Sequence, residues 1–132
     1  QQLYLIKKFT LEKKLPIKII EAPTIRNIDN LALSSRNSLL NNEEFRNAVG
    51  LYKHLRICAK SVQDGIKIND AELISKNKLI KEGWKVDYFE IRRQADLKKP
   101  SHNDLKLVIL GAGSIGKIRL IDNIEFCIPT TI

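Results

Sequence analysis

The sequence is poor in the residues that build covalent or metal frameworks. Its 132 residues include no methionine, two cysteines and two histidines. Cys58 and Cys127 lie far apart, without a CxxC pair or a Cys/His cluster, so we expect two buried free thiols in a reducing compartment. His54 and His102 are isolated as well, and their spacing gives no support to a metal site.

Long apolar runs are also missing. No stretch approaches the roughly 18 residues that a membrane span needs, and the first residues contain no apolar signal core. These absences predict a cytoplasmic protein without a membrane partner. Because translation starts at methionine and this sequence starts at Gln1, we expect a fragment of a longer protein that holds only part of an active site.

Acidic residues are outnumbered by basic ones. Lysine and arginine number 23 against 15 aspartate and glutamate, which gives a net charge of +8 that is spread over both halves of the chain. Such an excess favours anionic ligands, either nucleotides or nucleic acid, without deciding between them. Only 6% of residues are aromatic and no RNP, KH or zinc signature occurs. A basic anion- or nucleic-acid-binding interaction module therefore stays an alternative.

The hydrophobic pattern predicts an α+β domain in which helices pack on a three-stranded antiparallel sheet. Asn41 or Asn42 with Glu44, and Asn69 with Glu72, are spaced as helix-capping boxes. Residues 1–20 look like the tail end of an α/β unit that began earlier. The predicted elements are a helix over 1–14, a strand over 17–20, a loop with one short helical turn over 21–42, two helices ending at Gly65 and Gly83, and strands over 86–91, 105–110 and 118–126.

Residues 111–116 read Gly-Ala-Gly-Ser-Ile-Gly and match a dinucleotide-binding fingerprint. That site needs a helix after the glycines, whereas residues 118–121 are strand-like. With Lys117 the run also approaches a Walker A loop, but Ile118 stands where a serine or threonine would bind Mg²⁺. We therefore predict a hairpin turn at 111–116.

Ser34, Ser35 and Arg36 form the segment with the clearest chemistry. Adjacent hydroxyls can donate to phosphate oxygens, and a guanidinium beside them gives a bidentate cationic partner. A helical turn that starts at Ser34 or Ser35 would add free N–H groups. From chemistry alone, a serine N-cap beside a solvated arginine is the favoured interpretation, because Ser-Ser-Arg is a common sequence.

Four separated motifs carry a resemblance that changes this balance. The run over residues 23–37 resembles P-T-V-R-E-x-D-G-L-A-x-S-S-R-N of the pantothenate synthetase (pantoate–β-alanine ligase) family. Residues 1–3 are similar to the end of that family's G-x-K-D-x-Q-Q-L motif. Residues 86–90 are similar to L-D-Y-x-E, and 116–123 to G-x-x-R-L-I-D-N. The motifs follow in the family's order and match only its C-terminal half.

The resemblance implies an ATP-dependent, Mg²⁺-assisted ligase of pantothenate and coenzyme A biosynthesis. Pantoate would attack the α-phosphate of ATP to give pantoyl adenylate and pyrophosphate, and β-alanine would then displace AMP. Residues 1–22 would be the helix–strand remnant of a Rossmann-like nucleotidyl transferase domain, and residues 23–132 a C-terminal lid domain hinged near Pro23. The full-length protein would be a homodimer and would not bind nucleic acid.

The resemblance also implies the site residues. Ser34, Ser35 and Arg36 match the family's phosphate loop, and Ile25 and Leu33 match positions near the adenosine end of ATP. Gln2 matches a glutamine that hydrogen-bonds pantoate. The family's HxGH motif lies upstream of Gln1, so no catalytic residue is assigned here and the isolated chain is expected to be inactive.

Two positions depart from the family's pattern. Asn27 replaces a glutamate and Asn30 replaces a glycine. Asparagine tolerates a left-handed backbone better than most residues, so we expect the turn at Asn30 to survive. The carboxylate that is missing at Asn27 puts any ion pair it made in doubt.

Overall fold

The computed structural model describes residues 1–129 and confirms the predicted α+β fold. Strands β1, β2 and β3 form an antiparallel sheet in that order. No helix within the described part of the chain is long and apolar enough to cross a membrane. The elements are α1 (Gln2–Glu12), a 3₁₀ helix η1 (Ser35–Leu39), α2 (Asn42–Ala48), α3 (Gly50–Gln63), α4 (Ile68–Lys81), β1 (Lys85–Arg93), β2 (Lys106–Ile115) and β3 (Ile118–Cys127).

The hydrophobic core lies between α3, α4 and one face of the sheet. The buried face of α3 carries Leu55, and β1 and β2 supply Ile91, Leu107 and Ile109; all four side chains are fully buried. Leu79 anchors α4 to the same core. Burial of this apolar area is the main force that packs the helices on the sheet.

The helix predicted to end at Gly65 is divided at Val49 into α2 and α3. Its start is confirmed, because Asn41 and Glu44 form the predicted capping box. The Asn47 carbonyl accepts hydrogen bonds from the Val49 amide and from the Trp84 indole, at 3.3 Å from the indole nitrogen. A continuous α-helix would direct that carbonyl to the amide four residues on, so the tertiary contact with Trp84 accompanies the break.

The prediction of a second capping box, formed by Asn69 and Glu72, was wrong. Helix α4 begins at Ile68, and Glu72 turns away from the helix end to accept a hydrogen bond from the Ile91 amide at 2.5 Å. Strand β1 is an edge strand whose outward N–H groups need partners, and Glu72 supplies one. Burial raises the pKa of Glu72, and the hydrogen bond from Ile91 opposes that rise.

The strand predicted at 17–20 does not form. These residues have no regular secondary structure and no ladder partner among residues 1–129, and the side chains of Ile17 and Ile20 are exposed. The helix before them is confirmed as α1. A strand is stabilised by hydrogen bonds to a neighbouring strand, so an apolar β-branched run alone does not make one.

The glycine run is mostly strand rather than turn. Gly111 and Gly113 lie inside β2, and the hairpin turn consists of Gly116 and Lys117 alone. Gly116 has a φ of +56°, which suits glycine. The element that follows is β3 and not a helix, so the dinucleotide fingerprint is rejected as expected.

We expect Gly113→Ala to destabilise the fold by roughly 1–3 kcal/mol. A Cβ at this position would lie 2.8 Å from the Lys85 carbonyl oxygen, which is backbone of the paired strand and cannot rotate away. Urea unfolding of the variant measures the loss. Ser114→Ala, one position on in β2, is the control; equal stability of the two variants would contradict the close approach of β1 and β2.

The two thiols differ in exposure, which corrects one expectation. Both are free, but only Cys58 is buried, whereas Cys127 is exposed near the end of β3. Burial raises the pKa of Cys58 to about 11. At pH 8 we therefore expect iodoacetamide to alkylate Cys127 in the native chain and Cys58 only after unfolding, as read by mass spectrometry. Rapid native labelling of Cys58 would show that α3 does not seal this position.

Candidate functional site

Residues 25–33 form a narrow hairpin that brings two predicted ATP contacts together. Arg26 and Ala32 form an antiparallel bridge, and the Leu33 amide donates to the Ile25 carbonyl at 2.9 Å. Ile25 and Leu33 therefore lie side by side. Their side chains are 63% and 61% exposed, so this apolar pair has no cover within the described chain.

Asn27 and Asn30 shape the tip of this hairpin. The Asn27 side-chain oxygen accepts hydrogen bonds from the amides of Asp29 and Leu31, at 3.0 and 2.9 Å. Asn30 has a φ of +67°, so the left-handed turn expected there is present. The oxygen that Asn27 retains thus holds the local turn.

Arg26 fastens the hairpin to the sheet. Its two terminal nitrogens lie 2.7 and 2.8 Å from the Asp122 carboxylate oxygens, a bidentate pair with β3. The guanidinium stacks on the Tyr52 ring at 3.7 Å and also donates to the Asn30 carbonyl. Hydrogen bonding to Asp122 raises the pKa of Arg26 despite its burial. The hairpin is therefore anchored to α3 and β3 together.

Ser34, Ser35 and Arg36 follow the hairpin as the start of η1. Ser34 is the N-cap, and its hydroxyl accepts a hydrogen bond from the Arg36 amide at 3.2 Å. All three residues are exposed, and the Arg36 guanidinium donates to the Arg119 carbonyl at 3.3 Å. The N-cap interpretation is confirmed in the geometry. It leaves the Arg36 side chain at the surface, where an anion can reach it.

Four of the six predicted site residues line one cleft of about 1050 Å³ between α1, the hairpin and β3. Gln2 comes from α1, and Leu33, Ser34 and Arg36 from the hairpin and η1. Ile25 and Ser35 are neighbours of these residues but are not part of the lining. The fold therefore places Gln2 and Arg36, which are distant in the sequence, on the same cleft.

Arg36 differs electrostatically from the other cations of the cleft. Within residues 1–129, it has no carboxylate within ion-pair distance, whereas the other three cationic side chains that line the cleft are each paired. The pairs are Lys7–Glu21, Arg26–Asp122 and Arg119–Asp87. Positive charge that is not neutralised is thus concentrated at Arg36, and an anion that enters the cleft meets it.

Sequence reasoning did not identify the partners that position these residues. Arg26 and Asp122 stand in two of the recognised motifs, but 96 residues separate them and nothing local pairs them. Arg119 also stands in a motif, where its hydrogen bond to Asp87 was not foreseen. Tyr52 lies outside the four recognised motifs. The motifs include most of these residues, but only the structure shows which of them contact each other.

Comparisons with known proteins point to one family. The sequence model of the family described as Pantoate-beta-alanine ligase matches residues 1–125. The chain is 40% identical over 126 residues to a pantothenate synthetase of Shewanella sp. strain MR-7 and 42% identical over 129 residues to one of Methylobacillus flagellatus. These matches cover 96% and 97% of this chain but 45% and 46% of the relatives, so the chain spans less than half of their length.

Solved structures show the same fold. A crystal structure of pantothenate synthetase from Thermus thermophilus matches with a TM-score of 0.86 and 29% identity, over 94% of this chain and 45% of that one. A pantoate-beta-alanine ligase from Francisella tularensis, complexed with beta-gamma ATP and beta-alanine, matches with a TM-score of 0.64 and 31% identity. That match covers 93% of this chain and 39% of the other.

Asp122→Asn should lower the free energy of unfolding by roughly 1.5–3 kcal/mol, because it leaves the half-buried Arg26 charge without its anion. Urea unfolding measures the loss, and hydrogen exchange of residues 25–33 should quicken with it. Asp64→Asn breaks an exposed pair of the same 2.7 Å length with Lys60 on α3 and should change little. Equal losses in both variants would contradict the anchoring role of Asp122.

Proposed function

This chain belongs to the pantoate–β-alanine ligase family, and from that premise we propose that it forms the C-terminal part of an enzyme that condenses pantoate with β-alanine. ATP would drive the reaction through a pantoyl adenylate, giving pantothenate, AMP and pyrophosphate. The observation that carries the proposal is the shared cleft. Gln2, Ser34 and Arg36 all line it, and among residues 1–129 Arg36 has no carboxylate partner.

The nucleotide would bind along the hairpin and η1. Ser34, Ser35 and Arg36 would contact its phosphates, and the exposed apolar pair Ile25 and Leu33 would lie against its adenosine end. Attack on the α-phosphate gathers negative charge on phosphate oxygens. Donors and a guanidinium that are already in place lower the barrier to such a step, because little reorganisation is needed during the reaction.

Pantoate would bind at the α1 side of the cleft. Gln2 offers an amide that can both donate to and accept from a hydroxy acid. The carboxylate of pantoate attacks the α-phosphorus and the bond to pyrophosphate breaks; the β-alanine amine then attacks the acyl carbon and AMP leaves. The HxGH motif that the resemblance adds lies in the half that the chain does not span, so we assign no acid or base here.

Mg²⁺ would come with ATP. Among residues 1–129 no cluster of three or more histidine, cysteine, aspartate or glutamate residues could hold a metal ion. The residues of the cleft nevertheless fit a magnesium–nucleotide complex, because serine hydroxyls and a guanidinium bind phosphate oxygens and leave the cation to phosphates and water. When bound, Mg²⁺ supplies neutralisation of phosphate charge.

Residues 23–132 would act as a lid over the nucleotide, and residues 1–22 would belong to the domain that the relatives carry upstream. In support, the exposed apolar residues of the first segment need cover that residues 1–129 do not give; they include Leu5, Phe9, Leu11, Ile17 and Ile20. A closing lid excludes water, which would otherwise hydrolyse an acyl adenylate. The complete enzyme would be a cytoplasmic homodimer that does not bind nucleic acid, and this chain alone would not catalyse the reaction.

Arg36→Gln should weaken binding of Mg·ATP to the isolated chain roughly tenfold, since a charge-assisted hydrogen bond is lost. Titration of the ¹⁵N-labelled chain, followed by NMR shifts of Leu33 to Asn37, measures the affinity even when it is millimolar. Arg56→Gln removes an exposed arginine of α3 outside the cleft and is the matched control. The same fall in both variants would contradict a specific phosphate loop.

Two further arms separate the alternatives. Salt-dependent binding of a random oligonucleotide that exceeds the affinity for Mg·ATP would favour the nucleic-acid-binding module. Fusion of the N-terminal half of the Methylobacillus flagellatus relative to this chain should give pantothenate from pantoate, β-alanine and Mg·ATP, and Ser35→Ala with Arg36→Ala should abolish it. Activity of the isolated chain would overturn the proposal that catalysis requires the upstream half.

A further inference from the structure

Strand β1 contains an irregularity directly beside the cleft. Val86 opposes Gly113 and Tyr88 opposes Ala112, so Asp87 is an extra residue without its own partner on β2. In a regular strand, neighbouring side chains point to opposite faces of the sheet. Here the side chains of Asp87 and Tyr88 both contact residues that line the cleft.

The two contacts connect β1 to the start of α1 and to the start of β3. The Tyr88 hydroxyl donates to the Gln1 side-chain oxygen at 3.0 Å, next to Gln2. The Asp87 carboxylate accepts from the Arg119 side chain at 2.7 Å, at the start of β3. Bulges commonly redirect side chains next to functional sites, and this one serves the α1 side and the η1 side together.

The contact between Asp87 and Arg119 spans the sheet. The two residues lie on the outer strands β1 and β3, and the central strand β2 separates them. Where they meet, β2 contributes Ala112 and Ser114, whose small size leaves room for the arginine. The first residues of β3 are thereby held against β1 by a direct charge-assisted hydrogen bond.

Arg119 passes this constraint to the phosphate loop through its backbone. Its carbonyl accepts a hydrogen bond from Arg36 at 3.3 Å. A carbonyl holds the guanidinium in place but does not neutralise it, unlike the carboxylates that hold the other cations of the cleft. The position of this carbonyl depends on where β3 begins, and Asp87 fixes that point.

We propose that Asp87 is a positioning residue of the ligase site, which acts through Arg119 to aim the Arg36 guanidinium at the bound anion. The proposal rests on the proposed function of Arg36. Positioning and simple electrostatics predict opposite effects on anion binding when the Asp87 carboxylate is removed. Removal of a carboxylate beside an anion site should strengthen anion binding by charge alone, whereas loss of positioning should weaken it.

The test is a double-mutant cycle of Asp87→Asn with Arg36→Gln, read as Mg·ATP affinity by NMR titration of the full 132-residue chain. Asp87→Asn alone should weaken binding about threefold or more, and should add nothing in the Arg36→Gln background. Asp87→Glu, which keeps the charge, should restore part of the affinity. Asp64→Asn, which breaks the exposed pair with Lys60, should leave the affinity unchanged.

The outcomes separate this proposal from the one it rests on. Unchanged or tighter binding in Asp87→Asn, with Arg36→Gln still weak, would overturn the positioning role and leave the phosphate loop standing. Equal additional loss in the Arg36→Gln background would likewise overturn it, because Asp87 would then act independently of Arg36. No effect of Arg36→Gln at all would refute the phosphate loop itself.

Discussion

The bidentate pair of Arg26 and Asp122 is the interaction on which the candidate site depends. The hairpin of residues 25–33 contains few backbone hydrogen bonds of its own. Leu31 packs into the hydrophobic core, whereas Ile25, Ile28 and Leu33 are exposed. Taking two charges out of water is costly, but both are well supplied with partners here: Asp122 has both oxygens bonded, and Arg26 adds Asn30 and the Tyr52 ring. Such a pair specifies one geometry for the loop, so the residues proposed to contact the nucleotide are held in a fixed place.

The small residues of β2 serve both faces of the sheet. On the core face, a Cβ at Gly111 would lie 2.9 Å from Leu51 of α3, so glycine lets the helix approach closely. On the outer face, Ala112 and Ser114 lie where Arg119 reaches across to Asp87. The Gly-Ala-Gly-Ser run resembles a nucleotide fingerprint, but its small residues allow close packing on both faces of the sheet. It contributes to the site only indirectly, because it affects the position of β3.

The elements that depend on local patterns could be predicted from the sequence, and those that depend on distant partners could not. The three strands and the capping box at Asn41 follow from periodicity and spacing, and they are present. The strand at 17–20 failed because a strand needs a neighbour, and the cap at Asn69 failed because the edge of β1 competed for Glu72. Motif resemblance supplied the candidate site residues, but a pairing across 96 residues, such as Arg26 with Asp122, leaves no local signal.

The four cationic side chains of the cleft differ in their partners, and this difference explains why Arg36 is suited to receive a phosphate. An arginine already paired with a carboxylate, as Arg26 is with Asp122, would have to give up a charge-assisted bond to accept a new anion. Arg36 gives up only a neutral acceptor at 3.3 Å, the Arg119 carbonyl. A phosphate would compensate the positive charge of the guanidinium, which a neutral carbonyl does not, so the exchange is favourable. The carbonyl also keeps the side chain ordered beforehand, which reduces the entropy lost when the anion arrives.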